Sequence, residues 1–267
     1  MRLRRFPWWL MVALVPVIAG CGGGRNAKAG RVTSVENVAP RYEVRDSRAV
    51  RQRVEQQEQL GLAVERMRAA DYVAAERMAR AVLKAQPSSV DAYTVLAAIQ
   101  SSAGNAAAAG ESYRKAAELE PGRGDLLNNY GAWLCANGHP AEALVWFDRA
   151  LADAGYGTPA AALANAGGCA LQSGQNERAQ RDLRRALELD PINAYALESM
   201  ARSEYRQGRY FEARAFSQRR LAAASATPSV LQLAIQVEER LGDKAAASHY
   251  QEQLRKEFPD AVTAPQD

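Results

Sequence analysis

Apolar and small residues recur along this chain with a period of 34 to 36 residues, from about residue 56 to residue 261. Within each period they follow helical spacing twice, and a turn position separates the two helical stretches. The turn residues are Ala70, Gly104, Gly138, Gly174, Gly208 and Gly242. Because glycine readily adopts the left-handed conformation that ends a helix, each period predicts a helix–turn–helix unit.

Small residues also recur where the two helices of each unit would touch. An alanine stands five residues after every turn position: Ala75, Ala109, Ala143, Ala179, Ala213 and Ala247. The first helices carry a second small position: Ala63, Ala97, Gly131, Gly167 and Ala201. Larger side chains such as Tyr130 and Phe147 would then fill the remaining space. We therefore expect each unit to form a closely packed antiparallel helix pair.

A fixed period of this length is the signature of a solenoid, and this one is similar to the tetratricopeptide repeat. The copies span about residues 56–89, 90–123, 124–159, 160–193, 194–227 and 228–261. The predicted fold is all-α, a right-handed superhelix of six tetratricopeptide repeats over residues 47–261. Ser47 is the expected N-cap of the first helix. A two-residue insertion before Pro159 predicts a longer loop after the third copy, and residues 262–267 are expected to be a disordered tail.

The first 20 residues have the pattern of a secretory signal, with arginines at 2, 4 and 5 followed by an apolar run over 8–19. That run is too short to cross a bilayer, which needs ~20 apolar residues. The segment Ile18-Ala19-Gly20-Cys21 resembles the lipobox of bacterial lipoproteins, which implies a lipidated Cys21. An ordinary signal peptide with an incidental cysteine is the alternative.

A glycine-rich, polar segment follows the lipobox. Residues 21–46 would carry the lipidated cysteine and a flexible tether. Gly22 stands where an aspartate would resemble an inner-membrane retention signal, so the resemblance implies an outer-membrane, periplasmic-facing, lipid-anchored protein.

Composition agrees with helices and argues against nucleic acid. Of the 267 residues, 48% are hydrophobic and only 7% are aromatic, which favours helices over sheets. The formal charge is +4, but removing the three signal arginines from the 34 basic residues leaves 31 against 30 acidic ones. A nearly neutral mature chain gives no electrostatic reason for a polyanion partner.

First helices of a tetratricopeptide superhelix line its concave face, which commonly holds a peptide or a partner helix. Asn129 and Asn165 occupy the same place in the third and fourth copies, and a carboxamide can clamp a peptide backbone. Alternatively they cap neighbouring backbone groups, and the other polar positions form a solvated face. The predicted groove residues are Asn128, Asn129, Asn165, Tyr195, Glu198, Arg202, Tyr205 and Arg206.

Two further cysteines, Cys135 and Cys169, lie on the first helices of the third and fourth copies. Export would place them in an oxidising compartment, where a pair can form a disulfide. They are two positions out of register, but adjacent first helices stack closely enough for one bond. The alternative is a pair of buried free thiols. Two isolated cysteines predict no metal site.

Nothing in the sequence predicts an enzyme or a cofactor. His139 lies in a turn beside Pro140, and His249 lies on the last repeat helix among polar residues. Neither has a nucleophile at a recognisable spacing, and no phosphate-binding loop is present in the sequence. Catalytic residues are therefore predicted to be absent.

One stretch makes the comparison more specific. Residues 127–131 and 133–135, LNNYG and WLC, resemble the NNYGxFLC signature of the PilF/PilW family of type IV pilus biogenesis lipoproteins. Residues 165–169, NAGGC, resemble the family's NxGxC segment, and Trp133 replaces its phenylalanine. Tyr250 and Phe258 on and after the last repeat helix also fit.

The resemblance implies a pilotin, a lipoprotein that binds the pilus secretin and promotes its outer-membrane localisation and multimerisation. It would be monomeric before binding the secretin, with the membrane contacted through its lipid. The alternatives are an adaptor for cell-wall hydrolases or outer-membrane protein assembly, and a scaffold that stabilises pilus fibres.

Overall fold

The computed structural model describes residues 47–263, in which the regular structure consists of 13 helices. They are α1 (Arg48–Arg68), α2 (Tyr72–Ala85), α3 (Val90–Ser102), α4 (Ala106–Leu119), α5 (Gly124–Ala136), α6 (Pro140–Leu151), α7 (Pro159–Gln172), α8 (Asn176–Leu189), α9 (Ala194–Arg206), α10 (Tyr210–Ala223), α11 (Pro228–Leu241), α12 (Lys244–Glu257) and α13 (Pro259–Thr263). The first twelve form six consecutive helix pairs, and α13 packs on α12. The all-α solenoid of six tetratricopeptide repeats is therefore confirmed.

The turns inside the repeats follow the predicted backbone conformation. The five turn glycines have φ between 73° and 86°. Ala70 has φ 58°, and it is the one non-glycine residue with positive φ in the part of the chain that the structure describes. A side chain in that conformation costs roughly 1 kcal/mol, which the first repeat tolerates. After the Gly104 turn, the Asn105 N–H donates to the carbonyl of Gln100 at 2.8 Å, which closes the first helix of the second repeat.

Small residues bring the paired helices together as expected. Ala75, Ala109, Ala143, Ala179 and Ala213 are fully buried. A Cβ on Gly131 would lie 2.9 Å from the Phe147 ring, too close for a normal contact, so the ring packs directly on the α5 backbone. The fourth repeat has the same arrangement of a small residue facing a large one, with the Leu183 side chain packed against Gly167.

The apolar core is continuous through the middle of the array and divided near its ends. One cluster of buried side chains runs from Ala117 to Met200. Polar side chains enter the joint between the first two repeats, where Gln100 donates to Glu76 at 3.3 Å and accepts from Ser112 at 2.8 Å. The first joint therefore combines a smaller apolar cluster with directional polar contacts.

The joint between the fifth and sixth repeats contains a buried ion pair. Arg214 of α10 donates two hydrogen bonds to the Glu238 carboxylate on α11, and this residue is only 2% exposed. Such a pair fixes the register of two neighbouring helices, because either charge left alone there would be costly.

Two departures from the regular repeat have local explanations. The insertion after α6 forms the predicted loop, and its Asp153 carboxylate accepts from the Gly124 and Gly155 N–H groups, both at 2.8 Å. These backbone donors lower the pKa of Asp153. A proline follows the second helix in four repeats, at Pro87, Pro121, Pro191 and Pro259, and the fifth repeat has Ser225 at that place. There buried Arg220 donates to the carbonyls of Ala224 and Ser225.

The ends of the array differ slightly from prediction or lie outside the description. Ser47 is the N-cap of α1, with its Oγ accepting from the Val50 N–H at 3.2 Å. At the other end α13 continues to Thr263, so residues 262 and 263 of the predicted tail are helical, and residues 264–267 lie outside the described part of the chain. The predicted signal, Cys21 and the tether fall within residues 1–46, outside the described residues. Among the helices of 47–263, none has the length and apolar character needed to cross a membrane.

Candidate functional site

First helices of successive repeats lie against one another and form one face of the array. Direct packing joins α1 to α3, α5 to α7, α7 to α9 and α9 to α11. The contact between neighbouring first helices is weakest for α3 with α5 and only slightly stronger for α5 with α7. We name the surface made by α1, α3, α5, α7, α9 and α11 the inner face, and the predicted groove residues lie on its helices.

The three asparagines of the predicted set have different environments. Asn165 of α7 donates through Nδ2 to Oδ1 of Asn128 on α5, at 3.0 Å, and Asn128 is 9% exposed. This bond ties the first helices of the third and fourth repeats together. Asn129, the register equivalent of Asn165, is half-buried, and its carboxamide has no hydrogen-bond partner among residues 47–263. The structure thus leaves Asn129 as the free amide of this group.

Aromatic residues surround the same part of α5. The Tyr130 ring is stacked with Trp133 at a centroid distance of 6.0 Å and meets Trp146 edge-on at 4.8 Å. Trp133 Nε1 donates to the Ala106 carbonyl at 3.0 Å, which anchors the indole on the start of α4. A Cβ on Gly110 would overlap the indole ring, so this glycine provides the space in which Trp133 lies.

A disulfide joins Cys135 of α5 to Cys169 of α7, with their Cα atoms 5.8 Å apart. Both cysteines are buried, and the bond lies on the same pair of helices as the Asn128–Asn165 contact. The first helices of the third and fourth repeats are thus joined by a covalent and a polar link, and Arg178 of α8 adds an ion pair to Asp148 of α6. Whether the pair is oxidised in the cell stays a prediction.

Residues of the predicted set on α9 are partly engaged inside the protein. Glu198 accepts from Arg202 at 2.8 Å and lies 3.6 Å from buried Arg220. Tyr205 packs on Tyr210, with ring centroids 5.5 Å apart. Glu198 and Tyr205 therefore contribute to packing within the repeat array.

The remaining α9 residues are more accessible. Tyr195 is 45% exposed and lies over Gly168, where a Cβ would overlap its phenol, and Arg206 is exposed. Burial of part of the ring raises the pKa of Tyr195. The predicted set therefore divides into an α5–α7 group around the asparagines and an α9 group of exposed aromatic and basic side chains.

An open cavity of about 370 Å³ lies between α5 and the α3–α4 helix pair of the second repeat. Its walls include Ser101, Tyr113, Asn129, Ala132, Trp133 and Asn137. The volume is at the lower end of the roughly 300–1,000 Å³ typical of ligand pockets. Sequence reasoning found Asn129 but missed the cavity. A glycine in the interior of α4, at position 110, was the one available signal.

Comparison with known proteins agrees with this architecture. A tetratricopeptide repeat model matches residues 60–124 and 169–227. The solved structure of PilW, described as a widely conserved type IV pilus biogenesis factor, is 32% identical, with a TM-score of 0.70 over 77% of this chain and 94% of PilW. The chain belongs to the PilF/PilW family of type IV pilus biogenesis proteins.

Other similarities agree with that assignment. The type IV pilus assembly protein PilF of Pseudomonas aeruginosa is 26% identical over 183 residues, which cover 68% of this chain and 73% of PilF. The solved PilF structure has a TM-score of 0.68 at 24% identity, over 79% of this chain and 95% of PilF, and shares the fold. In this PilF/PilW-family protein the two signature segments, residues 127–135 and 165–169, meet at the disulfide and the asparagine pair.

Within residues 47–263 no group of three or more His, Cys, Asp or Glu side chains is placed to hold a metal ion. The chemistry available on the inner face is that of recognition: amides, aromatic rings and a few charged side chains.

Proposed function

We propose that this protein is a pilotin, an outer-membrane lipoprotein that binds the type IV pilus secretin and promotes its localisation and multimerisation. Membership of the PilF/PilW family supports a part in pilus biogenesis. The observation that carries the proposal is the arrangement of the two signature segments. They form a cross-linked block on the inner face, which provides a rigid platform for a partner segment.

The proposed mechanism has three parts. Lipid on Cys21 fixes the molecule to the periplasmic face of the outer membrane, since acyl chains contribute roughly 0.8 kcal/mol per buried CH₂. Residues 21–46 give reach, roughly 30 Å for a flexible chain of this length. The inner face then holds a secretin segment, so each bound subunit is kept at high local concentration near the membrane where it assembles.

This mechanism needs a binding surface but no catalytic residue and no cofactor. The protein is proposed to act as a monomer until the secretin binds. Its contribution would be to the rate and place of assembly, because raising the local concentration of subunits favours multimers without adding any new contact between them.

The test is the state of the secretin in a strain that lacks this protein. Non-denaturing electrophoresis and blotting should show loss of secretin multimers with the monomers retained, and plasmid-borne wild-type protein should restore the multimers. Normal multimers in the deletion strain would contradict the proposal. With pilus fibres also lost, that result would favour a scaffold that stabilises fibres; with normal fibres, it would favour an envelope adaptor.

A further inference from the structure

The cavity between α5 and the α3–α4 pair combines features that a surface irregularity would not require. It lies at the joint of the second and third repeats, with walls from Ser101, Tyr113 and Trp133. The Trp133 wall is rigid, because its indole is hydrogen-bonded to Ala106 and lies in the space left by Gly110. A gap held open by a fixed aromatic wall is typical of a preformed binding site.

Besides the Ser101 and Tyr113 hydroxyl groups, the cavity offers a donor–acceptor pair from Asn129 and a further acceptor from Asn137. The Asn129 carboxamide has no partner within residues 47–263, so both its N–H and its carbonyl oxygen are available. Asn137 donates its Nδ2 to the Trp133 carbonyl at 2.8 Å, which leaves its Oδ1 as an acceptor. A peptide unit carries one donor and one acceptor, and a carboxamide matches both.

The absence of charged side chains in the lining limits which ligands the cavity can hold. None of the residues that line the cavity carries a formal charge, and burial raises the pKa of Tyr113, which stays neutral at physiological pH. An ion placed there would lose solvation without gaining an opposite charge. The walls provided by Ala132, Ala136 and Trp133 instead favour an apolar side chain.

We propose that this cavity holds an extended, uncharged peptide segment of the secretin, with its backbone clamped by Asn129 and one apolar side chain against Trp133. The inference rests on the proposed function, which supplies the partner, and it adds the place and the chemistry of binding. It puts the contact at the joint of the second and third repeats, away from the exposed α9 group.

Photo-crosslinking with the full-length chain tests the position. A photoreactive phenylalanine analogue is placed at Ala136, on the exposed rim of the cavity, or at Gln172, the same register position in the fourth repeat. We expect a secretin adduct from position 136 and at most a weak one from 172. Adducts from 136 only with lipid or with a second copy of this chain, or no adduct at all, would overturn the inference.

The clamp is tested by Asn129→Asp, which keeps the shape but replaces the amide donor with a charge. We expect about a tenfold lower adduct yield from position 136, the effect of losing the donated hydrogen bond and of placing a charge in an uncharged cavity. Asn105→Asp is the matched control, since Asn105 caps α4 outside the cavity and aspartate caps equally well. An unchanged yield with Asn129→Asp overturns the clamp.

The secretin blot separates this failure from that of the proposed function. If secretin multimers still require the protein but position 136 gives no adduct, only the cavity site is overturned. Normal multimers in the deletion strain together with no adduct overturn both.

Discussion

Gly110 lies in the interior of α4, and replacing it with alanine sets two opposing effects against each other. Alanine is better than glycine inside a helix by about 1 kcal/mol. A methyl group at 110 would overlap the Trp133 ring, however, and overpacking costs roughly 1–3 kcal/mol. The indole would also be pushed from its 3.0 Å hydrogen bond to Ala106. We therefore expect Gly110→Ala to lower the free energy of unfolding by about 1 kcal/mol.

Gly61 provides the matched control, because it lies inside α1 and nothing lies within 4 Å of the place a Cβ would take. Gly61→Ala should raise the free energy of unfolding by about 0.5–1 kcal/mol from helix propensity alone. The same chemical change thus has opposite signs at the two sites. Trp133→Phe should relieve the overlap at position 110. The double variant Gly110→Ala/Trp133→Phe should therefore lose less free energy of unfolding than the two single variants lose together.

The measurement is urea unfolding followed by circular dichroism, with amide exchange of α4 and α5 read separately because repeat arrays need not unfold in one step. If Gly110→Ala stabilises the chain as much as Gly61→Ala does, the indole does not fill the space at 110 and the rigid wall of the cavity is refuted. If the effects of Gly110→Ala and Trp133→Phe on the free energy of unfolding simply add, the proposed contact between positions 110 and 133 is refuted.

Three further predictions concern charge, redox state and the anchor. The pKa of Asp153 is lowered, so its stabilising effect is present above the unfolded value of about 3.9 and is lost as pH falls through the folded value. Asp153→Asn should therefore show a smaller fall in Tm on acidification, and an unchanged fall contradicts this. Labelling of the denatured, non-reduced protein should find no free thiol at Cys135 or Cys169, and stoichiometric labelling would exclude the disulfide. Cys21→Ser should move the protein out of the membrane fraction; unchanged fractionation would refute the anchor.

The period of small residues and turn glycines was enough to predict the fold, because each position repeats a local steric requirement. Ala70 could even be placed in a left-handed turn from register alone. Register does not, however, determine how far one repeat rotates against the next. Asn129 and Asn165 are equivalent in sequence, yet Asn165 bonds to Asn128, one residue away and about a quarter of a helical turn round.

The cavity illustrates a second limit of prediction from the repeat period. Its aromatic wall depends on contact between Gly110 and Trp133, which belong to different repeats and whose residue types do not follow the period. Glu198 was predicted as a groove residue from its face on the helix, but it lies 3.6 Å from Arg220, whose equivalents in the neighbouring repeats are Ala186 and Leu254. Such irregular pairs follow from three-dimensional packing and have no periodic signal.

The disulfide also changes how the chain would respond to mechanical load. It bridges residues separated by 34 positions, a segment that includes the whole of α6. Tension applied between the two ends of the repeat array would pass through the sulfur bridge, leaving that segment without load. About 110–120 Å of extended chain would then stay hidden on complete stretching and be released only after reduction. The third and fourth repeats would thus stay joined when the rest of the array has been pulled open.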